Sequence, residues 1–441
     1  MKISRRTLRT AVRMGAAASV LIIAAAAQAQ SQNDNSWQQG DPWRFGAQPN
    51  DNKWPYAPAA RWPVLAVVGD VACQPGETEA ETASGESASE TCSGDTAQNL
   101  LATQAATARQ IENLKPDLVA LVGDEQYQVG QYSDFENSYE LSYGAFKFIT
   151  RPAPGNHEFY VEHKAIGVAG YGYFSYFNGV QHNADGTVMT ATIANNPDTG
   201  GTFTQPVPYS DGQAGHFEQS GGLGNTVPAG GPVGVGDGWY SYNLGGWHLI
   251  SLNIECETQP GGCSTSGAWF AAELAWLKND LATNHSSCTV AYWHQPTYSA
   301  ANSLSEEGTT AQAFWQLLYA YHADLVLNGH DHLYARYRPL DPSGNSDPRR
   351  GIREFIVGTG GETLDAVATT GTASNPGGQS NFNTVNLEAA SGQFWGVMGL
   401  TLFPNGYAWD FESALKDPAQ TGGAATYSDK GAGSCHGPGR Y

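Results

Sequence analysis

Short apolar runs of strand length recur along the chain, and most of them end at a cluster of polar residues. Three such runs occupy residues 64–68, 118–122 and 289–293, and a shorter one, 325–327, ends a strand predicted over 323–327. Runs of this length without alternation are typical of strands buried on both faces of a parallel or mixed sheet. The polar clusters that follow them are GD at 69–70, GDEQY at 123–127, HQP at 294–296 and GHDH at 329–332. This pattern predicts polar side chains gathered at the carboxyl edge of an α/β sheet.

Between these strands the apolar spacing changes to that of helices packed on a sheet. Residues 96–114 contain no Gly or Pro and are followed by Pro116, which predicts a helix that ends there. Amphipathic helices are also predicted over residues 268–281 and 309–322. The first strand, the first helix and the second strand form a βαβ unit, so the ends of those two strands should be neighbours.

Antiparallel structure is predicted in the second half of the chain. Alternating residues 239–244 and the run 247–252 flank a Gly-Gly turn and predict a hairpin. A further strand is predicted at 352–357, and two arms flank Pro404-Asn405-Gly406. GNHE at 155–158 differs from the other clusters because it follows prolines, which favour an extended approach, rather than an apolar run.

The remaining segments show no sustained period. Residues 30–60 are predicted to form an irregular amino-terminal arm, and residues 418–441 a Gly-rich coil. The main domain then spans residues 61–417, with an exposed loop at 74–95 and a long loop insertion at about 179–238. A loop of that length is usually functional or conceals a missed element. An active-site flap and partial disorder are both open interpretations.

The amino terminus predicts export. Basic residues precede an apolar run from Ala16 to Ala27, and Ala27-Gln28-Ala29 offers a small-residue cleavage site, so residues 1–29 are interpreted as a signal peptide. Its adjacent arginines, Arg5 and Arg6, also fit a loose twin-arginine signal. Because the run is too short to span a bilayer, no stable membrane anchor is expected. The predicted location is secreted or periplasmic.

The charge balance bears on the kind of partner. The chain has 42 acidic and 22 basic residues, a net charge of −20, and no basic cluster beyond the amino terminus. Binding nucleic acid requires clustered Lys and Arg, so no nucleic-acid groove is predicted. A small phosphorylated substrate has no such requirement. The oligomeric state is not predicted.

Six cysteines in an exported chain predict disulfides. Sequence proximity favours Cys73 with Cys92 and Cys256 with Cys263, which leaves Cys288 for Cys435, although fifteen pairings are possible. A metal-binding role for cysteine is the competing interpretation. The absence of a C-x-x-C spacing disfavours it.

The pair His330 and His332 alone is weak evidence for a metal site, because two histidines in a short loop are more often solvated. Taken with the other segments in order and spacing, however, it resembles the calcineurin-like metallophosphoesterase superfamily. The GDxxY, GNHE and GHxH forms are most similar to its purple acid phosphatase branch, over about residues 62–410. One departure is Ala72, which stands where many members have the histidine of a D-x-H motif. In the purple acid phosphatase branch the tyrosine of GDxxY binds the metal instead, and Tyr127 occupies that position.

The resemblance implies a four-layer α/β/β/α sandwich and a pair of metal ions. It implies Asp124 as the bridge between the metals. The remaining ligands it implies are Asp70, Tyr127 and His332 for the first metal and Asn156, His294 and His330 for the second. Oxygen donors that include a phenolate suit Fe3+ at the first site, whereas the second set suits Zn2+, Mn2+ or Fe2+. The resemblance also implies that His157 reaches the substrate, where it is expected either to donate a proton to the leaving group or to stabilise charge on the phosphoryl oxygens.

The leading hypothesis is a secreted phosphohydrolase that cleaves phosphate monoesters by attack of a metal-bound hydroxide. A phosphodiesterase acting on nucleotides or lipid headgroups is the alternative on the same metal core. A catalytically silent binding protein is a third interpretation. Glu158 and Asp331 are expected either to hydrogen-bond ligand histidines or to be exposed. His248 is expected to be structural. Of the other histidines, His216 is singled out because it lies in the long loop that is a candidate active-site flap.

Overall fold

The computed structural model describes most of the chain from residue 61 onward. The described ranges are residues 61–73, 97–127, 130–160, 170–194, 202–208, 238–257, 259, 261–301, 308–368, 385–418 and 423–437. The predicted signal peptide 1–29, the arm 30–60, Cys92 and His216 lie outside the described residues.

The strands, numbered along the chain, are β1 Val64–Val68, β2 Ala72–Cys73, β3 Leu118–Val122, β4 Gln126–Tyr127, β5 Thr150–Ala153, β6 Thr190–Ala194, β7 Thr202–Pro206, β8 Tyr240–Leu244, β9 Trp247–Ser251, β10 Cys288–Tyr292, β11 Leu325–Asn328, β12 Tyr334–Tyr337, β13 Arg353–Val357, β14 Leu387–Ser391, β15 Phe394–Phe403, β16 Gly406–Lys416 and β17 Ser428–Ser434. The α-helices are α1 Ala97–Leu114, α2 Tyr132–Asn137, α3 Asn156–Tyr160, α4 Tyr171–Asn178, α5 Ala268–Thr283 and α6 Gly308–Ala320, and two 3-10 helices span Tyr139–Leu141 and Tyr143–Ile149.

Two large mixed sheets form the centre of the structure. One has the strand order β17-β16-β15-β1-β3-β5, and the other has the order β14-β12-β13-β11-β10-β9-β8. Within the first sheet β1, β3 and β5 run parallel, and within the second β9, β10, β11 and β13 do. The continuous apolar runs of the sequence thus form the parallel strands, which are covered on both faces.

The sheets pack face to face, and helices cover their outer faces. Leu65 and Val67 of β1 share an inner core with Leu327 of β11. The neighbouring residues of β1 point the other way and pack with Ile111 of α1. On the far side, α5 and α6 pack on the second sheet, with Leu277 among the buried side chains. The predicted four-layer α/β/β/α sandwich is confirmed.

The carboxyl-terminal segment departs from the prediction. Residues 428–434 were expected in a Gly-rich coil, but they form β17, the edge strand of the first sheet, paired antiparallel with β16. The glycines explain the difference, because a Cβ at Gly431 would lie 2.2 Å from the Trp409 ring and one at Gly433 would lie 2.4 Å from Tyr407. Glycine here makes room for large aromatic neighbours across the strand pair rather than a coil.

Other elements were also missed, among them a hairpin and an edge strand. The predicted long loop at 179–238 contains the hairpin β6-β7, while residues 209–237 lie outside the described part of the chain. The approach to GNHE is the strand β5, which pairs with β3 at the edge of the first sheet. Pro152 hides this strand from a pattern search, since proline is compatible with an edge strand but not with a central one.

The disulfides follow the predicted pairing where they can be seen. Cys256 is bonded to Cys263, and Cys288 is bonded to Cys435. Cys73 is also disulfide-bonded, while its predicted partner Cys92 falls outside the described residues. Within the described ranges, no helix combines the length and the hydrophobicity needed to cross a membrane.

Candidate active site

The predicted site residues follow the carboxyl ends of strands in both sheets. Asp70 follows β1, Asp124 follows β3 and Asn156 follows β5 in the first sheet. In the second sheet His294 follows β10, and both His330 and His332 follow β11. Because these strands are parallel within each sheet, their carboxyl ends lie at one edge, and the packed sheets bring the two edges together.

Three of these residues have an unusual backbone conformation. Asp70, Asp124 and His330 have φ values of 59°, 51° and 68°, in the left-handed region that non-glycine residues rarely occupy. His330, rather than the glycine before it, makes the sharp turn at the end of β11. Gly329 is needed for a different reason, since a Cβ there would lie 2.5 Å from Oδ2 of Asp70.

The proposed ligands of the first metal converge on the Tyr127 hydroxyl. This oxygen lies 2.9 Å from Asp70 Oδ1, 2.9 Å from Asp124 Oδ2 and 3.0 Å from His332 Nε2. Tyr127 is held in place by the short parallel pair of β4 with β2, where it lies opposite Cys73. The side chain is fully buried, so the hydroxyl faces the other donors and not solvent.

The proposed ligands of the second metal form an adjacent group. His330 Nδ1 lies 3.1 Å from Asn156 Oδ1 and 3.3 Å from His294 Nε2. His294 Nε2 in turn lies 2.9 Å from Asp124 Oδ2. Donor atoms of Asp124, His294 and His330 all fall within 4.8 Å of one another. One oxygen, Asp124 Oδ2, therefore touches both groups of side chains.

Two of the histidines are oriented through their outer nitrogens. His294 Nδ1 donates to the backbone carbonyl of Val122 at 2.9 Å, and His332 Nδ1 donates to the carbonyl of Thr363 at 2.8 Å. A ring whose Nδ1 carries the proton presents an unprotonated Nε2 when it is neutral. In the neutral form, both rings would direct a lone pair into the cluster, as metal-binding histidines do.

The electrostatics reflect buried opposite charges. Burial alone would raise the pKa of Asp124, but His294 and His157 outweigh it and hold that pKa well below its usual range. Burial opposes the charged form of His294, yet Asp124 raises its pKa to about 10. Burial, together with the charges of Asp124 and Asp70, raises the pKa of Tyr127. With only these side chains around it, Tyr127 therefore keeps its phenolic proton. A strongly charged cation is required to make it a phenolate.

The donor set fits metal ions. Asp70 and Asp124 are both fully or almost fully buried, and each lies 2.9 Å from the same hydroxyl, so two carboxylates are held close together away from water. Like charges in such an arrangement need a compensating cation. Carboxylate, phenol, amide and imidazole donors at one point are the ligand types that transition metals take.

His157 lies beside the cluster rather than within it. Its Nε2 is 3.8 Å from Asp124 Oδ2, and its ring packs on that of Tyr127 with a centroid separation of 4.2 Å. Its backbone amide donates to Asp124 Oδ1 at 3.0 Å. This position suits a side chain that reaches toward a bound substrate.

Glu158 and Asp331 are both buried. They were expected either to hydrogen-bond ligand histidines or to be exposed, and the contacts of their carboxylates differ from both expectations. The carboxylate of Glu158 accepts the backbone amides of Asp124, Gln126 and Gly155. It thereby fixes the GDEQY turn against the GNHE turn. Asp331 accepts the Ser299 hydroxyl at 2.6 Å. Both carboxylates hold loops, because backbone amides and hydroxyls are the donors within their reach.

Sequence reasoning missed the segment after β13. The Asp365 carboxylate accepts the backbone amide of His332 at 2.9 Å, and the carbonyl of Thr363 accepts Nδ1 of the same histidine. These residues follow the GTGG sequence at the end of a strand on the site edge. The strand-end rule that found the other clusters would have found this one. His248, by contrast, is structural as predicted, with Nε2 2.6 Å from Asp280 and Nδ1 3.1 Å from Asn243.

Comparison with known proteins identifies the family. The sequence profile of the calcineurin-like phosphoesterases matches residues 64–334. The chain belongs to this family. Its relatives include purple acid phosphatases and an acid phosphatase, which is the branch that the motifs predicted.

Purple acid phosphatase 15 of Arabidopsis thaliana is 36% identical over 115 residues, 24% of this chain and 20% of that protein. An acid phosphatase of Aspergillus ficuum is 31% identical over 149 residues, 26% of this chain and 24% of that protein. The matches thus span about a quarter or less of the length of these relatives. A solved purple acid phosphatase from yellow lupin covers 83% of this calcineurin-like phosphoesterase and 53% of its own chain, at 16% identity and a TM-score of 0.46.

Proposed function

We propose that this calcineurin-like phosphoesterase is a secreted phosphohydrolase that cleaves phosphate monoesters at a dinuclear metal centre. The observation that carries the proposal is Asp124 Oδ2, which lies 2.9 Å from both the Tyr127 hydroxyl and His294 Nε2. One carboxylate oxygen shared by two groups of donors is the arrangement expected of a bridging ligand. The partial matches to purple acid phosphatases support the same reading.

The chain's own residues would divide the work. Asp70, Tyr127 and His332 would hold one ion, Asn156, His294 and His330 the other, and Asp124 both. Bound metals supply positive charge for the phosphoryl oxygens and lower the pKa of water. We assign Fe3+ to the first position, because it has the carboxylate and phenol donors, and Zn2+, Mn2+ or Fe2+ to the second.

His157 would donate a proton to the leaving oxygen. Its Nε2 lies 3.8 Å from Asp124 Oδ2, near the cluster but outside both donor groups, and the residue is 5% exposed. A histidine in this place can give a proton from its ring to the leaving oxygen while its backbone amide stays hydrogen-bonded to Asp124.

The test is a paired assay on the purified protein with metal analysis. p-Nitrophenyl phosphate and bis(p-nitrophenyl) phosphate are compared, with Asp124→Asn prepared in parallel as a control for contaminating phosphatase. We expect two metal ions per chain, faster turnover of the monoester and loss of activity in the variant. Faster turnover of the diester would favour the phosphodiesterase alternative. Bound metal without hydrolysis of either ester would favour the binding protein.

Export is tested separately. The disulfides Cys256–Cys263 and Cys288–Cys435 fit an oxidising compartment. We expect the activity outside the cytoplasm, on a protein whose amino terminus follows Ala29. Activity retained in the cytoplasm on a chain that still begins at Met1 would contradict this part of the proposal.

A further inference from the structure

A buried carboxylate lies beside the first donor group without belonging to it. Glu362 is in the segment that follows β13, and its backbone amide donates to the carbonyl of Asp70 at 3.1 Å. Two residues earlier, the amide of Gly360 donates to the carbonyl of Gly69 at 2.9 Å. The segment therefore runs along the turn that presents Asp70 to the site.

Further hydrogen bonds fix Glu362 from both sides. Its carbonyl accepts the Trp395 indole at 2.6 Å, and its Oε1 accepts the amide of Thr363 at 2.8 Å. The carbonyl of Thr363 accepts Nδ1 of His332 at 2.8 Å. Glu362 is thus one residue away from the group that orients a proposed ligand.

The side chain has no evident structural use for its second oxygen. Glu362 is 6% exposed, and among the described residues its Oε2 has no hydrogen-bond partner. A carboxylate oxygen removed from water in this way is unfavourable unless a positive charge lies near it. The charge of Glu362 also acts to raise the pKa of Tyr127 and of His332, as a carboxylate close to both would.

We propose that Glu362 sets the charge preference of the first metal position, favouring a trivalent over a divalent ion without binding it. This inference rests on the proposed dinuclear function. The physical reason is Coulombic: the attraction between a fixed carboxylate and an ion grows with the charge of the ion. A carboxylate that is not a ligand adds this preference while leaving the coordination positions to Asp70, Tyr127 and His332.

The experiment removes the charge and keeps the shape. In Glu362→Gln the side-chain carbonyl can still accept the amide of Thr363, but the negative charge is lost. We expect the ratio of ferric to ferrous affinity at the first site to fall about 10- to 100-fold, the scale of such outer interactions. For a one-electron couple, each tenfold change in this ratio of affinities corresponds to about 59 mV in midpoint potential. A spectroelectrochemical titration of the iron-loaded protein measures this shift independently of catalysis.

Two variants serve as controls. Glu362→Asp keeps the charge and is expected to remain near the wild-type midpoint, so a return toward wild type identifies charge as the cause. Glu273→Gln removes a different buried carboxylate, one on α5 that accepts the amide of Asn253, and is expected to leave the midpoint unchanged. A fold check by chemical denaturation accompanies each. If Glu362→Gln does not fold, the Glu362→Asp variant still provides a test. It keeps the negative charge, so a midpoint potential shifted by about 59 mV or more, equivalent to a tenfold change in the ratio of affinities, would contradict a charge effect.

Two outcomes overturn the proposal and are distinguishable. An iron-loaded, active wild type whose midpoint matches that of Glu362→Gln refutes the role of Glu362 alone. A wild type that binds no trivalent ion refutes both this role and the metal assignment of the proposed function.

Discussion

At the scale of single residues, the candidate site is built from side chains in which one atom contacts several others. Tyr127 contacts three proposed ligands, and Asp124 contacts both groups. The effect of a substitution therefore depends on whether the residue holds the ions or faces the substrate. His157 and Tyr127 differ in this respect.

Replacing His157 with Ala should lower kcat about 10²- to 10⁴-fold, the usual contribution of a general acid, because the leaving group loses its proton donor. Both metals should remain, since the side chain lies outside both donor groups. Steady-state kinetics with metal analysis of the same sample check this. Parallel loss of metal and activity would make His157 a ligand, and unchanged turnover would remove it from the mechanism.

Replacing Tyr127 with Phe should bleach the iron-loaded protein and weaken the first site while the second still fills. The pKa of Tyr127 is raised by its buried surroundings, so only a strongly charged ion can hold it as a phenolate, and phenolate bound to Fe3+ absorbs visible light. Absorption spectra and metal content of wild type and variant test this. A colourless, fully active wild type that contains only divalent metals would contradict it.

At the scale of elements, β17 joins the two sheets. Asp429 of β17 accepts hydrogen bonds from Tyr334 and Arg336 of β12, each at 2.7 Å, and from Trp409 of β16 at 3.0 Å. One residue beyond the end of the strand, Cys435 is bonded to Cys288 at the start of β10. The last strand of the first sheet is therefore fastened to the second.

Replacing Cys288 and Cys435 with Ser should destabilise the protein by about 5 kcal/mol, because the disulfide closes a loop with a sequence separation of 147. The matched control is the Cys256/Cys263 pair, whose separation is 7 and whose expected cost is about 2 kcal/mol. Denaturant unfolding of both double variants gives the comparison. Metal content should not change in the first variant, since β10 holds Cys288 at the opposite end from His294. An equal loss in both variants would contradict the loop-length argument.

How far the sequence predicts these elements depends on their local pattern. The strand before Asp70 and the strand before Asp124 match their predicted bounds, because continuous apolar runs fix both ends. The ligand set could be named because the family motifs lie in order. The role of Glu158 could not, since its partners are backbone amides of two other turns, which no side-chain pattern records. β17 was missed for a related reason, as its glycines are explained by rings on another strand.

At the scale of the whole molecule, the proposed centre links the two sheets. Three proposed ligands follow strands of the first sheet and three follow strands of the second. Metal binding would therefore stabilise the packing of one sheet on the other as well as the local loops.

Saturating metal at about 100 times Kd should raise the free energy of unfolding by about 2.7 kcal/mol for each site that exists only in the folded state. Thermal or urea unfolding with and without chelator measures the gain. Asp124→Asn is the control and should show a much smaller gain, because both sites lose their shared ligand. Equal stabilisation of the variant would contradict a shared centre.

Buried carboxyl groups also give the fold a pH dependence. Burial raises the pKa of Glu354 well above its usual range, against the amides of Tyr298 and Thr297, which favour its ionised form. A raised folded pKa means that the folded chain keeps a proton that the unfolded chain releases. The stability from this group is thus fully present below the unfolded pKa of about 4.3 and is lost as pH rises through the folded pKa.

Glu354→Gln removes this titration and keeps an oxygen for the two amides. The free energy of unfolding of wild type minus that of the variant should therefore decrease as pH rises from about 4 to about 8. Urea unfolding of both proteins at several pH values across this window provides the measurement. A difference that stays constant, or increases with pH, would contradict the raised pKa.

The left-handed backbone at Asp70, Asp124 and His330 has a consequence for directed evolution. Each of these residues occupies a conformation that costs non-glycine residues of the order of 1–3 kcal/mol, and each carries donor atoms for the proposed centre. With chelator present, a library screened only for heat resistance would be rewarded for replacing them with glycine wherever the strain relieved exceeds the hydrogen bonds lost. Screening of that kind would improve the scaffold and erase the centre, so heat selection on this chain needs a simultaneous selection for turnover.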